Sequence, residues 1–336
     1  MPPHLRIGVV DQSPVPNGSD ANDALTATLN LARLCNRLGY HRYWLAEHHS
    51  TNSFAGSAPE VLVPRVASVT DRIRVGPGGV MLTHYSPYKV AEQFRLLETL
   101  FPGRMDLAVG RAPGGTGGAA AALRWGRAPI PVEEFPRQLD DLVGWLGERF
   151  DDEHPWRRVR ATPRGTDLPE VWVLGSGGTT ARTAAAAGCG YSFAQFISGL
   201  DGAEALAAYR SAFRPGALET PQANVAVGVV CAESREEALR LSLSTHLWRM
   251  RIIRGIDRGI PSPEQAEREF ADAGVPLEEL YNDGKTVVGD PDEVRRDLLA
   301  LAERYGVDEV MTVTVTHDLG ARERSYELLA EVMGLG

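Results

Sequence analysis

Short apolar runs alternate along the chain with longer stretches in which apolar positions recur every three or four residues. Leu5-Arg6-Ile7-Gly8-Val9-Val10 is the first run and reads as a strand, with Asp11-Gln12-Ser13-Pro14 as the polar loop after it. From Asp23 to Leu38, residues Leu25, Leu29, Ala32 and Cys35 form one stripe, the mark of an amphipathic helix. Gly39 ends that helix, and Tyr43-Trp44-Leu45 suits a buried strand. The same pattern predicts strands over 73–82, 105–109, 171–174, 190–194, 223–230 and 309–315. Between them it predicts helices over 59–70, 88–100, 135–146, 179–187, 202–213 and 291–305, with a last helix ending near Met333. Pro102-Gly103 stops one helix, and Asp290 followed by Pro291 opens another.

Strands alternating with helices across short connections signal parallel strands joined by crossover helices. Eight such strands in a chain of 336 residues predict an α/β fold of the (β/α)8 TIM-barrel type, one domain over 1–336. A doubly wound open sheet would carry Gly-x-Gly-x-x-Gly after its first strand, and this chain has Asp11-Gln12-Ser13-Pro14-Val15-Pro16 there. Residues 234–287 read as a mostly helical insertion between strands seven and eight, with a turn-rich break over 255–263. Residues 112–136, rich in Gly, Ala and Pro, read as a long loop.

Composition narrows the partners. With 43% apolar residues, a net charge of −9 and no basic run, neither nucleic acid nor an anionic membrane is expected to bind. No window holds eighteen uninterrupted apolar residues, and Met1-Pro2-Pro3-His4 lacks a signal pattern, so a cytoplasmic protein is expected. Cys35, Cys189 and Cys231 are far apart in apolar surroundings and read as buried free thiols.

In a barrel the carboxyl ends of the strands gather at one mouth, so their residues carry the chemistry. The second strand ends in Glu47-His48-His49, and strand alternation puts Glu47 and His49 on one face and His48 on the other. These residues could be structural hydrogen-bonding groups or zinc ligands, but the His-Glu-x-x-His pattern is absent and no metal is expected. Gly76, Gly78 and Gly79 could form a bulge or let backbone lie flat against a planar ligand. Arg111 could form a surface ion pair or stabilise an anion at the mouth. Gly175-Ser176-Gly177-Gly178-Thr179 runs from a strand into a helix start, as either a phosphate-binding turn or an ordinary loop capped by Thr179. It lacks the lysine of a nucleotide-hydrolysing P-loop.

Five short segments together resemble the luciferase-like flavin-dependent monooxygenases, in that family's order. They are Trp44-Leu45-Ala46-Glu47-His48-His49, the run from Ile73 to Leu82, Ala91-Glu92-Gln93-Phe94, the run from Phe101 to Arg111, and Leu174-Gly175-Ser176-Gly177. The likeness extends from about Leu5 to Met333, and it is nearest to a subgroup with tailoring oxygenases of actinobacterial aromatic polyketides. It implies a barrel binding reduced FMN, fed by a separate NAD(P)H:flavin reductase, and oxygenation by molecular oxygen through a flavin C4a-peroxide. The substrate would be a polycyclic aromatic polyketide or similar secondary metabolite. The resemblance assigns His48 to the active-site histidine, Gly78-Gly79 to a cis-linked dipeptide under the flavin ring, and Arg111 to an arginine beside the flavin. It assigns Ser176 and Gly177, with Gly178 and Thr179, to the phosphate turn, where many members carry an acidic residue and this chain has Gly and Ser. The family also implies a homodimer, through helices near residues 59–70. An F420-dependent oxidoreductase and a non-catalytic flavin-binding protein are the alternative functions on the same barrel.

Overall fold

The computed structural model describes residues 5–281 and 283–336. Its strands are β1 (Arg6–Asp11), β2 (Arg42–Leu45), β3 (Arg74–Pro77), β4 (Val80–Met81), β5 (Asp106–Gly110), β6 (Glu170–Gly175), β7 (Gly190–Ala194), β8 (Ala223–Cys231), β9 (Thr286–Gly289) and β10 (Glu309–Val313). They pair in parallel in the order β3-β2-β1-β10-β8-β7-β6-β5-β4. β3 and β4 are two halves of one predicted strand, interrupted at Gly78-Gly79, whose peptide bond is cis as the resemblance implies. Val75 also bridges Met105 beside β5, so the sheet curls back on itself into a nearly closed TIM-type barrel of nine strands. Helices flank it on the outside, where their apolar faces and the outward strand residues make the main core.

Inside the barrel, alternation along the strands stacks side chains in layers. Toward the amino ends lies a polar layer around Arg42, whose side chain is 1% exposed. Its Nε donates to Glu309 at 2.7 Å and its Nη1 to Asp106 at 2.8 Å. Asp106 also accepts from Trp44 Nε1 at 2.7 Å and Arg74 Nε at 2.8 Å. The Arg42 guanidinium carbon lies 4.7 Å from the Trp172 ring centroid, a cation–π contact that roofs the polar layer. Above it come Val10, Trp44, Ala108, Trp172, Ala226 and Met311, an apolar layer with the two tryptophans edge to face. A second buried ion pair ties β1 to the last helix, Leu319–Met333. Arg322 Nη2 donates to Asp11 at 2.6 Å, and the Tyr43 hydroxyl and Ser13 N–H also donate to that carboxylate. Burial alone would raise the Asp11 carboxyl, but Arg322 and these donors hold it below its ordinary value.

Two sequence expectations change. Residues 234–287 do hold helices Arg235–Ile253 and Pro263–Asp272, but Thr286 and Val287 belong to β9, which extends the sheet beside β8. A four-residue strand directly after a turn is too short for its periodicity to stand out. Residues 112–136 contain a helix, Gly117–Leu123, started by Thr116 accepting from the Ala119 N–H at 3.2 Å; the alanine run explains it. The three cysteines are free and buried. Among the described residues no helix is long and apolar enough to cross a membrane.

The layer around Arg42 makes a stability prediction. Arg42→Met takes from Glu309 its buried guanidinium partner, leaves Asp106 only Arg74 and Trp44, and should lower the unfolding free energy by about 3–5 kcal/mol in urea titrations. Arg6→Ala, which removes an exposed pair with Asp308, should cost less than about 1 kcal/mol.

Candidate active site

A cavity of about 250 Å³ opens at the carboxyl mouth of the barrel. Strand ends supply its sides: Gly78 and Met81, Gly110 and Arg111, then Gly175, Ser176 and Thr180. Val10, Trp44, Leu174 and Ala226 make its floor, and Phe196 and Ile197 stand at its edge. Gly78 lines the cavity, whereas Gly79 answers to packing. A Cβ on Gly79 would lie 2.5 Å from the Ala108 carbonyl oxygen, so only glycine lets this backbone approach β5.

The end of β2 divides its three titratable residues as alternation predicts. Glu47 is buried and accepts from Tyr85 Oη at 2.7 Å and from the Met81 N–H at 3.0 Å, while His49 Nε2 lies 2.7 Å from its Oε1. One carboxylate therefore ties β2 to β4 and to the turn after it. The His49 N–H donates to Gly114 O at 2.8 Å, which docks the start of the loop after β5 on the same strand end.

His48 points the other way and does not line the 250 Å³ cavity. Its ring lies on Phe54, centroids 4.7 Å apart, and Phe54 packs on Trp248 at 5.0 Å. The His48 Nδ1 is enclosed with no hydrogen-bond partner among the described residues. Burial, helped by neighbouring His49, pulls its pKa down to about 4, so the imidazole is neutral at pH 7. A neutral imidazole in that setting can take up a proton or share a hydrogen bond with a bound molecule.

Arg111 is exposed at the cavity edge and has no hydrogen-bond or ion-pair partner among the described residues. Facing it across the cavity, helix Gly178–Ala186 begins at Gly177, in extended backbone, with no side chain capping it. Thr179 is exposed and does not cap the helix; its carbonyl accepts from the Thr183 hydroxyl at 3.1 Å. The N-cap position falls on Gly177, so Thr179 is not the cap that the ordinary-loop reading supposed. A Cβ on Gly177 would meet nothing within 4 Å, and one on Gly178 would meet only Arg182 Nη1 at 3.9 Å. Ser176, Gly177, Gly178 and Thr179 therefore frame open space at a helix N-terminus, with Arg182 reaching back over it. An apolar slot that ends between unpaired Arg111 and an uncapped helix start fits a planar aromatic group carrying a phosphate.

Sequence reasoning missed Tyr85, Phe54, Trp248 and Arg182. Arg182 alone had a signal, since a long side chain four residues into a helix leans back over its first turn. The others meet the site only through tertiary contacts.

Comparison with known proteins bears on this geometry. The family described as luciferase-like monooxygenase matches residues 5–309. The "Uncharacterized protein YceB" of Bacillus subtilis (strain 168) is 42% identical over 98% of this chain and 99% of its own. The N-acetyl-S-alkylcysteine monooxygenase of the same organism is 35% identical over 98% of each chain. Among solved structures, apo-MsnO8 superposes with a TM-score of 0.90 at 38% identity, covering 99% of both chains.

The buried imidazoles make stability depend on pH. Burial pulls His48 and His246 each down to about 4, against about 6.5 in the unfolded chain. Between those values the unfolded state binds more protons, so stability should fall as pH drops from about 6.5 to about 4 and level off below. In urea titrations at pH 7 and pH 5, His48→Gln should show a smaller loss than the parent protein.

Proposed function

Since the chain belongs to the luciferase-like monooxygenase family and is a flavin-dependent monooxygenase, we propose that it is the oxygenating half of a two-component system. In this reading a separate NAD(P)H:flavin reductase supplies reduced FMN, and molecular oxygen and a small aromatic molecule are the other substrates. The observation that carries it is an apolar slot beside Gly78 that ends at Arg111 and at Ser176, the residue before the uncapped helix start at Gly177. Reduced flavin, when bound, supplies the electrons that activate oxygen. Everything else falls to the chain.

Arg111 and the amides at Gly177, Gly178 and Thr179 hold the phosphate, with the Ser176 hydroxyl beside them. Because the turn carries no carboxylate, nothing in it opposes the anion. Gly78, Trp44 and Leu174 shape the slot for the ring. His48, neutral at pH 7, manages a proton at the substrate, and Glu47 keeps β4 and His49 in place behind it. Phe54, Trp248 and Phe196 present aromatic surface, which suits a polycyclic aromatic substrate of the polyketide kind.

We further propose a homodimer. Helix Pro59–Ala67 packs beside helix Pro87–Leu100. In the first helix Val63 and Val66 face this chain's own core, but Val61 is 64% exposed, and the exposed Leu96 and Leu100 stand on the second.

Two variants separate the roles. His48→Ala should lower turnover by roughly a hundredfold with flavin affinity unchanged. Arg111→Ala should chiefly weaken reduced-flavin binding, read from anaerobic titration. Thermal protection by FMN and not by F420 is expected; the reverse result would reassign the reaction to hydride transfer. Light scattering at micromolar concentration should give twice the 36.4 kDa chain mass, and a monomer would exclude the dimer.

A further inference from the structure

Asp257 lies in the turn after helix Arg235–Ile253, more than two hundred residues from His48. Its Oδ1 accepts from Thr51 Oγ1 at 2.9 Å and lies 3.0 Å from Ser53 Oγ. Its Oδ2 accepts from the Asn52 N–H at 2.7 Å and from Asn52 Nδ2 at 3.3 Å. One carboxylate thus gathers three consecutive residues of the segment that leads from Glu47-His48-His49 to Phe54.

Ser53, fully buried, is the second knot. Its hydroxyl accepts from Trp248 Nε1 at 2.9 Å and also lies 2.8 Å from the Arg258 carbonyl. Its own carbonyl accepts from the Val15 N–H at 2.9 Å, and Val15 in turn accepts from the Ile260 N–H at 2.8 Å. The insertion, the segment after β1 and the segment after β2 are therefore stitched together around Ser53. Phe54 is the next residue, and it sits between the His48 and Trp248 rings.

We propose that Asp257 is a positioning residue for His48: by tying Thr51, Asn52 and Ser53 to the insertion, it holds Phe54 in place as the wall against which the imidazole is set. Three donors, the Thr51 hydroxyl, the Asn52 N–H and Asn52 Nδ2, reach this one carboxylate, and Ser53 Oγ lies 3.0 Å from it. Here they converge on the backbone that delivers Phe54. The charge matters because the Asn52 N–H, the Asn52 side-chain amide and the Thr51 hydroxyl share it. The inference rests on the reading above that His48 handles a proton at the substrate, and its test separates the two.

The experiment compares Asp257→Ala and Asp257→Asn with the parent chain by NMR titration of the His48 ring and by steady-state turnover with reduced FMN. In the parent, His48 stays neutral from pH 7.5 to pH 5, since its pKa lies near 4. In Asp257→Ala, Phe54 loses its tether and the ring gains water, so His48 should begin to protonate within that window. Turnover should fall by about ten- to a hundredfold, as for a catalytic group held slightly out of place. Flavin affinity should not change. Asp257→Asn keeps one oxygen acceptor and should shift both readouts less. It also carries the test if the alanine variant does not fold. An unchanged His48 titration in either folded variant would overturn the proposal. A shifted titration with unchanged turnover, together with full activity of His48→Ala, would instead overturn the assignment of His48 and leave the positioning intact.

Discussion

A charged guanidinium inside a barrel can persist only if every direction in which it donates is answered. Arg42 meets that condition with Asp106 on β5 and Glu309 on β10, and Trp172 on β6 covers its face. These partners come from strands on different sides of the ring, so the requirement fixes the register of β2 against the rest of the barrel. A one-residue slip would point Arg42 outward among apolar helix faces and take the buried guanidinium away from Glu309 and Asp106. The site depends on the same register, because the end of β2 carries Glu47 and His48.

Glu47 and His48 then show how one strand end serves two purposes. Glu47 faces the structural side, where Met81, Tyr85 and His49 use both of its oxygens. His48 faces the aromatic side, where burial keeps it neutral and one ring nitrogen has no protein partner. An unpaired nitrogen in an enclosed site costs stability, and the proposed role at the substrate would account for that cost. The cavity itself lies beside Gly78, Arg111 and the Gly177 turn, and His48 stands off it on the Phe54 side. Under the proposed function, that arrangement would separate holding the ring and phosphate from handling the proton.

The insertion is more than an appendage to the barrel. Helix Arg235–Ile253 brings Trp248 to Ser53, and the turn after it brings Asp257 to Thr51, Asn52 and Ser53. Both contacts act on the short segment after β2. On the positioning proposed for Asp257, a change in the insertion would reach the imidazole without touching it.

The alternation of apolar runs and amphipathic stretches was enough to read a barrel, because strand and helix periods are local properties of a parallel α/β chain. Eight strands, most helices and the Gly78-Gly79 interruption were legible this way or through the family's motifs, and the same motifs pointed to Arg111, Gly175 and Ser176, which lie at the mouth cavity. Strand parity alone put Glu47 with His49 and His48 opposite, and the 2.7 Å Glu47–His49 contact agrees. Other features had no local signature. Thr286–Gly289 becomes a strand because β8 offers it an edge, and Thr179 leaves the helix uncapped although its type favours capping. Phe54, Trp248 and Asp257 are ordinary residues in their own segments. They matter because the folded chain brings residues some two hundred positions apart within hydrogen-bonding distance, and no period in the sequence encodes such a meeting.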